Sequence, residues 1–388
     1  MSQFLPDYDG GSIVNLMASI AAGFGADRRR YAELRLLSGH AVAQAKDVVL
    51  FVIDGLGFDF LKQHAELTPH LNTHLLGSIT SVFPSTTAAG IGTYLTGVAP
   101  IEHGLTGWHM YLRELAAVLA VLPGRGRSGA NHYKDGDAVH ALLRTTPFAD
   151  RLPVKCHMIA PASIADSPFN RAHSGKSAVA AYDTLEEMFD YTRQALNGPD
   201  RNYVYSYWPD LDSTGHRYGM GSEPTLNLLR ELDAAFGEFV QACRGNGTMI
   251  LLSADHGHVN SGAAYTHVLN DYPKLASKLL LPLCGEPRAA YAYVRGHNEC
   301  AFIEEANTVF GTDVVIRRSE EILSEGWFGP GEAHPELASR VGDFLLLPTT
   351  NRMVRDWLPG ERPYALASAH GGLSAAEMHV PLVLVPPY

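Results

Sequence analysis

Two short runs far apart in this chain, Val48-Val49-Leu50-Phe51-Val52-Ile53 and Thr248-Met249-Ile250-Leu251-Leu252-Ser253, constrain its fold more than any other feature. Neither alternates apolar with polar residues. Each therefore reads as a strand buried on both faces, the environment of a parallel sheet covered by helices. Each run also stops at side chains that bind metals: Asp54-Gly55 after the first, Asp255-His256-Gly257 after the second. In a parallel sheet, residues that follow the strands gather at the carboxyl edge, where such folds bind ligands.

Helical patterns fill the intervals. Ile13, Leu16, Met17, Ile20 and Ala21 recur at helical spacing, so residues 11–36 read as one or two helices. Thr68–Leu76, Met110–Val121, Thr184–Leu196 and Thr225–Arg244 read as further helices, and Gly124–Ala138 as a loop. Another helix starts near Thr86 or Thr87, with the hydroxyls at its N-terminus. Val154–Ile159, Asn202–Tyr207 and Met378–Val385 read as strands. Residues 258–369 differ in texture, with alternating runs at Ala289–Arg295, Cys300–Ile303 and Asp343–Leu347 around a helix-like 319–325. The expected fold is α/β, a largely parallel central sheet flanked by helices. Residues 1–257 and 370–388 would form its catalytic core, and 258–369 an inserted α+β subdomain that returns to it.

The bulk numbers narrow the choice of partner. A hydrophobic fraction of 46% with 18% charged residues fits a globular chain with a sizeable core. A formal charge of −11 argues against a nucleic-acid polymer, yet admits a small anionic substrate where bound cations reverse the local potential. Cys156, Cys243, Cys284 and Cys300 show no paired spacing and are expected as free thiols. Residues 1–25 lack the pattern of a signal peptide, and no run reaches the roughly 18 apolar residues of a membrane span. A cytoplasmic location is the expectation; oligomeric state is not written in the sequence.

The chemistry lies in the polar clusters. Asp-Gly alone marks an ordinary turn, but two ligand types directly after a strand, as in Asp255-His256, point to a metal. Asp212 and His216 are four residues apart, which places both on one side of a helical turn. Asp210, six residues from His216, fits a shared face less well. His258 and His267 read as hydrogen-bonding neighbours, and His370-Gly371-Gly372 brings backbone close to a bound group. Asp54, Asp212 and Asp255 in one cleft would leave at least one carboxyl protonated unless cations balance them. Two divalent ions do so. Mixed carboxylate and imidazole ligands suit zinc best, then manganese or iron, and suit magnesium poorly. In Phe83-Pro84-Ser85-Thr86-Thr87-Ala88, a threonine hydroxyl beside the ions would be activated by coordination. On local sequence alone, Thr86 and Thr87 are equally helix caps.

The ordered set of motifs resembles the alkaline phosphatase superfamily, and within it the type I phosphodiesterase/nucleotide pyrophosphatase family. The likeness covers roughly residues 46–110, 200–260 and 365–388. It implies one zinc held by Asp54, Asp255, His256 and the nucleophile, and a second held by Asp212, His216 and His370. It also implies Thr87 as the nucleophile, nine residues before the Thr96-Gly97 that precedes Pro100-Ile101-Glu102-His103-Gly104. Two departures stand out. Ala88-Ala89-Gly90 follows Thr87 where the family often has Phe-Pro-Asn, and Trp108 stands where family diesterases carry a transition-state Asn. Trp108 would instead stack on a base or wall off the pocket. The resulting expectation is a zinc-dependent phosphodiesterase. The alternatives are a phosphomonoesterase or phosphonate hydrolase on the same site, and a non-catalytic metal-binding module.

Overall fold

The computed structural model describes residues 3–28, 31–127, 142 and 145–387. The loop expected over Gly124–Ala138 lies outside the described residues from position 128 onward.

The two constraining runs are neighbours at the centre of a seven-stranded sheet. Its spatial order is Leu75–Thr80, His379–Val385, Thr248–Ser253, Asp47–Ile53, Asn202–Trp208, Lys155–Pro161, Ala178–Tyr182. The last five run parallel, and only His379–Val385 is antiparallel to its neighbours. All seven residues of Asp47–Ile53 are buried. Phe51 shows why: its ring packs 4.9 Å from Phe189 of helix Leu185–Ala195 and 5.2 Å from Phe239 of helix Glu223–Ala242. Such pairs anchor helices on the sheet through ring burial and edge-to-face contact.

A second, antiparallel seven-stranded sheet runs Val314–Arg318, Phe344–Pro348, Ala289–Ala292, Cys284–Glu286, His109–Leu112, Ala117–Ala120, Arg125–Gly126. Its last three strands come from ahead of residue 258. This corrects the helix expected over Met110–Val121. The segment is a hairpin that pairs Met110 with Leu119 and Leu112 with Ala117, around a left-handed turn at Ala116. Met110, Leu112 and Leu119 are buried on one face, the period-2 pattern of a strand. Cys300–Ile303 errs in the opposite sense: it lies inside helix Glu299–Phe310, whose buried Phe302, Ala306 and Phe310 repeat every fourth residue. Helix Ile13–Gly23 forms as expected, while the described remainder of 11–36 is not helical. The short helix expected within Thr68–Leu76 is Pro69–Thr73, and edge strand Leu75–Thr80 follows it. The four cysteines are free thiols, with Cys300 alone exposed. Among the described residues no helix is long and apolar enough to cross a membrane.

Candidate metal centre

Three adjacent parallel strands deliver the polar cluster to one edge. Asp54 follows Asp47–Ile53, and its N–H still donates to Trp208 O at 2.9 Å. Asp255 and His256 follow Thr248–Ser253. Asp212 and His216 sit on helix Asp210–Tyr218, entered directly from Asn202–Trp208. His370 arrives from the far end of the chain, after the short strand Ser368–Ala369 that pairs with Val259–Asn260. The strand must turn tightly beneath this cluster. Gly55 does so at φ +76°, where a Cβ would lie 2.6 Å from His258 Nε2.

Asp54, Asp255 and His256 each bring a ligand atom within 4.8 Å of the others, and so do Asp212, His216 and His370. His256 Nε2 lies 3.2 Å from Asp54 Oδ1 and 3.5 Å from Asp255 Oδ2. His216 Nε2 lies 3.3 Å from Asp212 Oδ1 and 3.2 Å from His370 Nε2. Asp212, His256 and His258 form a third, overlapping set. His258 is better described as a brace: its Nε2 lies 2.8 Å from Asp212 Oδ1 and its Nδ1 3.0 Å from Ser368 Oγ. Asp210 is exposed at the helix start and belongs to no set. His267 pairs elsewhere, with Asp313 at 3.0 Å.

The donor set fits divalent cations. His256, His216 and His370 each aim Nδ1 at a backbone carbonyl: Gly257 O at 3.1 Å, Ser368 O at 2.7 Å and Ser85 O at 3.2 Å. A carbonyl only accepts, so these Nδ1 atoms carry the protons and the Nε2 lone pairs converge on the cluster. Two such lone pairs 3.2 Å apart repel unless something positive lies between them. Asp54 Oδ1 and Asp255 Oδ2 are buried with no hydrogen-bond partner, the signature of acceptors reserved for an ion.

Without cations the charges find another balance. Burial, and next the neighbouring Asp54, push the Asp255 carboxyl well above the carboxylate range. Burial alone would lower the His256 imidazole, but Asp255 and Asp54 reverse this and raise it to about 10. Burial also opposes the charge on Asp212, yet His216, His258 and His370 hold its carboxyl well below the usual range. Burial of these opposed charges thus favours a proton within the Asp54, Asp255 and His256 cluster of the metal-free protein, and an incoming ion must displace it. Metal affinity is therefore expected to fall about tenfold per unit decrease in pH for each proton displaced. Calorimetric titration with zinc at pH 6.5–8.5, in buffers of different ionisation enthalpy, reads both the affinity and the proton release. Affinity independent of pH would contradict this charge balance.

The two threonines part company. Thr87 opens helix Thr87–Thr96, and its Oγ1 lies 3.1 Å from His256 Nε2. Thr86 Oγ1 turns away and donates to Glu286 Oε1, buried under the same helix end. Gly90 lets this helix approach, since a Cβ there would lie 2.6 Å from that of Asp255. A cavity of about 390 Å3 opens in front of Thr87. Asp54, Thr87 and Asp212 line its polar end; Ile91, Leu95, Met158 and Phe169 give the remaining wall its apolar surface, which they share with Ser163, Ser167 and Asn170. Trp108, 38% exposed, forms part of the wall and donates its backbone N–H to Glu286 Oε1 at 2.8 Å.

Several supporting residues carry no local sequence signal. Tyr207 Oη donates to Asp54 Oδ2 from the adjacent strand. Glu286 comes from the second sheet. Glu377 accepts from Gly372 N at 2.9 Å and so holds the loop that carries His370; Arg288 pairs with it at 2.6 and 2.7 Å. Arg288 and Glu377 are both buried. Glu377→Ala would leave an uncompensated buried guanidinium, at an expected cost of about 3–5 kcal/mol. Urea denaturation of the two proteins measures it, and an unchanged midpoint would refute it.

Fold and cluster together define a class: an α/β protein with a paired carboxylate–imidazole centre at its strand ends, beside a hydroxyl on a helix N-terminus. Comparison makes it specific. The family model of type I phosphodiesterase/nucleotide pyrophosphatase matches residues 48–372, and the chain belongs to that family. It is 25% identical over 244 residues to ectonucleotide pyrophosphatase/phosphodiesterase family member 3 of Mus musculus, a match covering 59% of this chain and 27% of that protein. The chain thus spans little more than a quarter of that relative's length. Among solved structures, murine ectonucleotide pyrophosphatase/phosphodiesterase 5 superposes with a TM-score of 0.67 at 16% identity, over 88% of both chains. Phosphonoacetate hydrolase from Sinorhizobium meliloti 1021, in complex with phosphonoformate, gives 0.64 at 18% identity, over 88% of this chain and 90% of that one. These two likenesses establish a shared fold.

Proposed function

We propose that this chain hydrolyses small anionic phosphodiesters, with Thr87 as nucleophile and two divalent ions, zinc by preference. The observation that carries the reading is Thr87 Oγ1 beside His256 Nε2, at the meeting point of two ligand triads and a cavity. Asp54, Asp255 and His256, with Thr87, would hold one ion; Asp212, His216 and His370 would hold the other. When bound, the ions lower the pKa of the attacking hydroxyl and offset charge on the phosphoryl oxygens.

The chain's own groups do the rest. Thr87 releases its hydroxyl proton to solvent, its Oγ forms a bond to phosphorus as the bond to the leaving alcohol's oxygen breaks, and that oxygen takes a proton back from water. Water then cleaves the phosphothreonine ester and restores Thr87. The free N–H groups in the first turn of helix Thr87–Thr96 favour the anionic phosphoryl group there. Tyr207 fixes Asp54, and the Nδ1 bonds to Gly257, Ser368 and Ser85 fix the three imidazoles. The apolar wall of the cavity favours an ester with an organic arm, which supports a diester over a monoester.

Turnover of bis(p-nitrophenyl) phosphate against p-nitrophenyl phosphate by zinc-loaded protein tests this. A kcat/KM preference for the diester of about tenfold or more is expected. A preference for the monoester would move the assignment to a phosphomonoesterase. Phosphonate hydrolysis is the second reading, favoured by the fold shared with phosphonoacetate hydrolase.

A further inference from the structure

A second cavity, of about 430 Å3, shares Trp108 with the one in front of Thr87. Its wall also includes Glu286, which accepts the Thr86 hydroxyl one residue before Thr87. Gly371, next to His370, packs on the aliphatic stem of Glu286: a Cβ there would lie 2.8 Å from Glu286 Cβ. The cavity therefore opens directly beside the metal centre.

Its charge is opposite to that of the chain around it. Against a formal −11, four arginines line this one space: Arg125, Arg127, Arg355 and Arg362. Arg127 is structural. It is pinned to Asp356 at 2.8 Å, Glu361 at 3.2 Å and Leu283 O at 2.7 Å, so this trio carries one surplus negative charge, and only the other three arginines make the wall net positive. The other three have no carboxylate within ion-pair distance among the described residues. Arg125 and Arg362 are exposed at the cavity wall. Arg355 lies 4.3 Å from the ring centroids of both Trp357 and Tyr364 and makes one long bond, 3.3 Å, to Tyr364 O. The two ring centroids are 5.3 Å apart, so both rings lie to one side of the guanidinium, and its other side and edge N–H groups are left for a planar or tetrahedral anion. Glu286, the remaining acid in the wall, is engaged by the Thr86 hydroxyl and Trp108 N–H.

We infer that this cavity binds a second anionic group of the substrate, a carboxylate or a phosphate on an arm of the scissile ester, through Arg125, Arg355 and Arg362. The preferred substrates then carry two separated negative charges, one at the reacting phosphorus and one in the arginine cavity. The occupant's identity rests on the phosphodiesterase reading; the anion site does not.

Two measurements on the zinc-loaded full chain test the two parts separately. Benzenesulfonate, an aromatic anion and weak metal ligand, is titrated while tryptophan fluorescence is followed, since Trp108 and Trp357 line the cavity. Saturable binding is expected, weakened about tenfold or more in Arg125→Gln/Arg362→Gln and in Arg355→Gln. The double variant changes exposed residues without ion partners, so it is expected to fold normally. The second measurement is the kcat/KM ratio of p-nitrophenyl 3-carboxypropyl phosphate to p-nitrophenyl propyl phosphate. The native ratio is expected to exceed about ten and to fall close to one in the variants. A 3-phosphopropyl ester run alongside shows which anion the site prefers. Benzenesulfonate affinity unchanged by the substitutions, or equal turnover of charged and neutral esters, would overturn the anion site. Arginine-dependent binding with no turnover of any ester would leave the anion site standing and overturn the hydrolase reading.

Discussion

Thr87→Ala is expected to lower diester turnover about ten-thousand-fold while both metal equivalents remain bound. The side chain removed is one hydroxyl and one methyl at the first position of a ten-residue helix, a place where alanine is well tolerated. Its Oγ1 touches His256 Nε2, not the core, so stability should change little. Thr86→Ala predicts a different pattern. It strips a hydrogen bond from the buried Glu286 and should cost about 1–3 kcal/mol of stability, with a smaller kinetic effect. Stopped assays with metal analysis on both variants separate a nucleophile from a helix cap. Near-native turnover by Thr87→Ala would exclude Thr87 as nucleophile, and equal losses in the two variants would show only that the helix end matters. A binding module without catalysis would leave no turnover to lose.

The second large effect is expected at Asp54→Asn, which preserves shape and removes one charge. One metal equivalent should be lost on dialysis and turnover should fall about a thousandfold. The reason is local. Asp54 Oδ1 is buried with no hydrogen-bond partner, while Oδ2 already accepts from Tyr207. An amide in this position replaces a ligand oxygen by a poorer one or turns an N–H toward the ion. Asp210→Asn is the control, because Asp210 is exposed and outside the triads. Metal content by mass spectrometry decides: two equivalents retained by Asp54→Asn, or one lost by Asp210→Asn, would contradict the assignment.

The parts of the fold that were readable are those where one environment acts on a whole segment. Asp47–Ile53 and Thr248–Ser253 are buried along their full length, so every residue repeats the same signal. Asp212 and His216 were readable as a pair because helical spacing is local, and Asp255-His256 because both follow one strand. Short windows misled where the period was ambiguous. Four residues, Cys300–Ile303, cannot distinguish a period of 2 from 3.6; the helix shows only across Phe302, Ala306 and Phe310. The hairpin at His109–Ala120 turns at Arg113–Ala116 without a Gly, Pro or Asn to mark it, so it reads as a helix until its partner Cys284–Glu286 is known. Tyr207, Glu286, Arg288 and Glu377 were not readable at all. Their partners lie 153, 200 and 89 residues away, and no pattern within a segment records such contacts. The arginine cavity is the same case, assembled from 125–127 and 355–364.

The most direct measurement is rapid acid quench of zinc-loaded enzyme with p-nitrophenyl phenyl phosphate, followed by peptide mass spectrometry. A phenylphosphoryl adduct on Thr87 that forms and decays at rates consistent with turnover is the predicted result. Turnover with no covalent adduct at any time point, or with the adduct on another residue, would contradict a mechanism through Thr87.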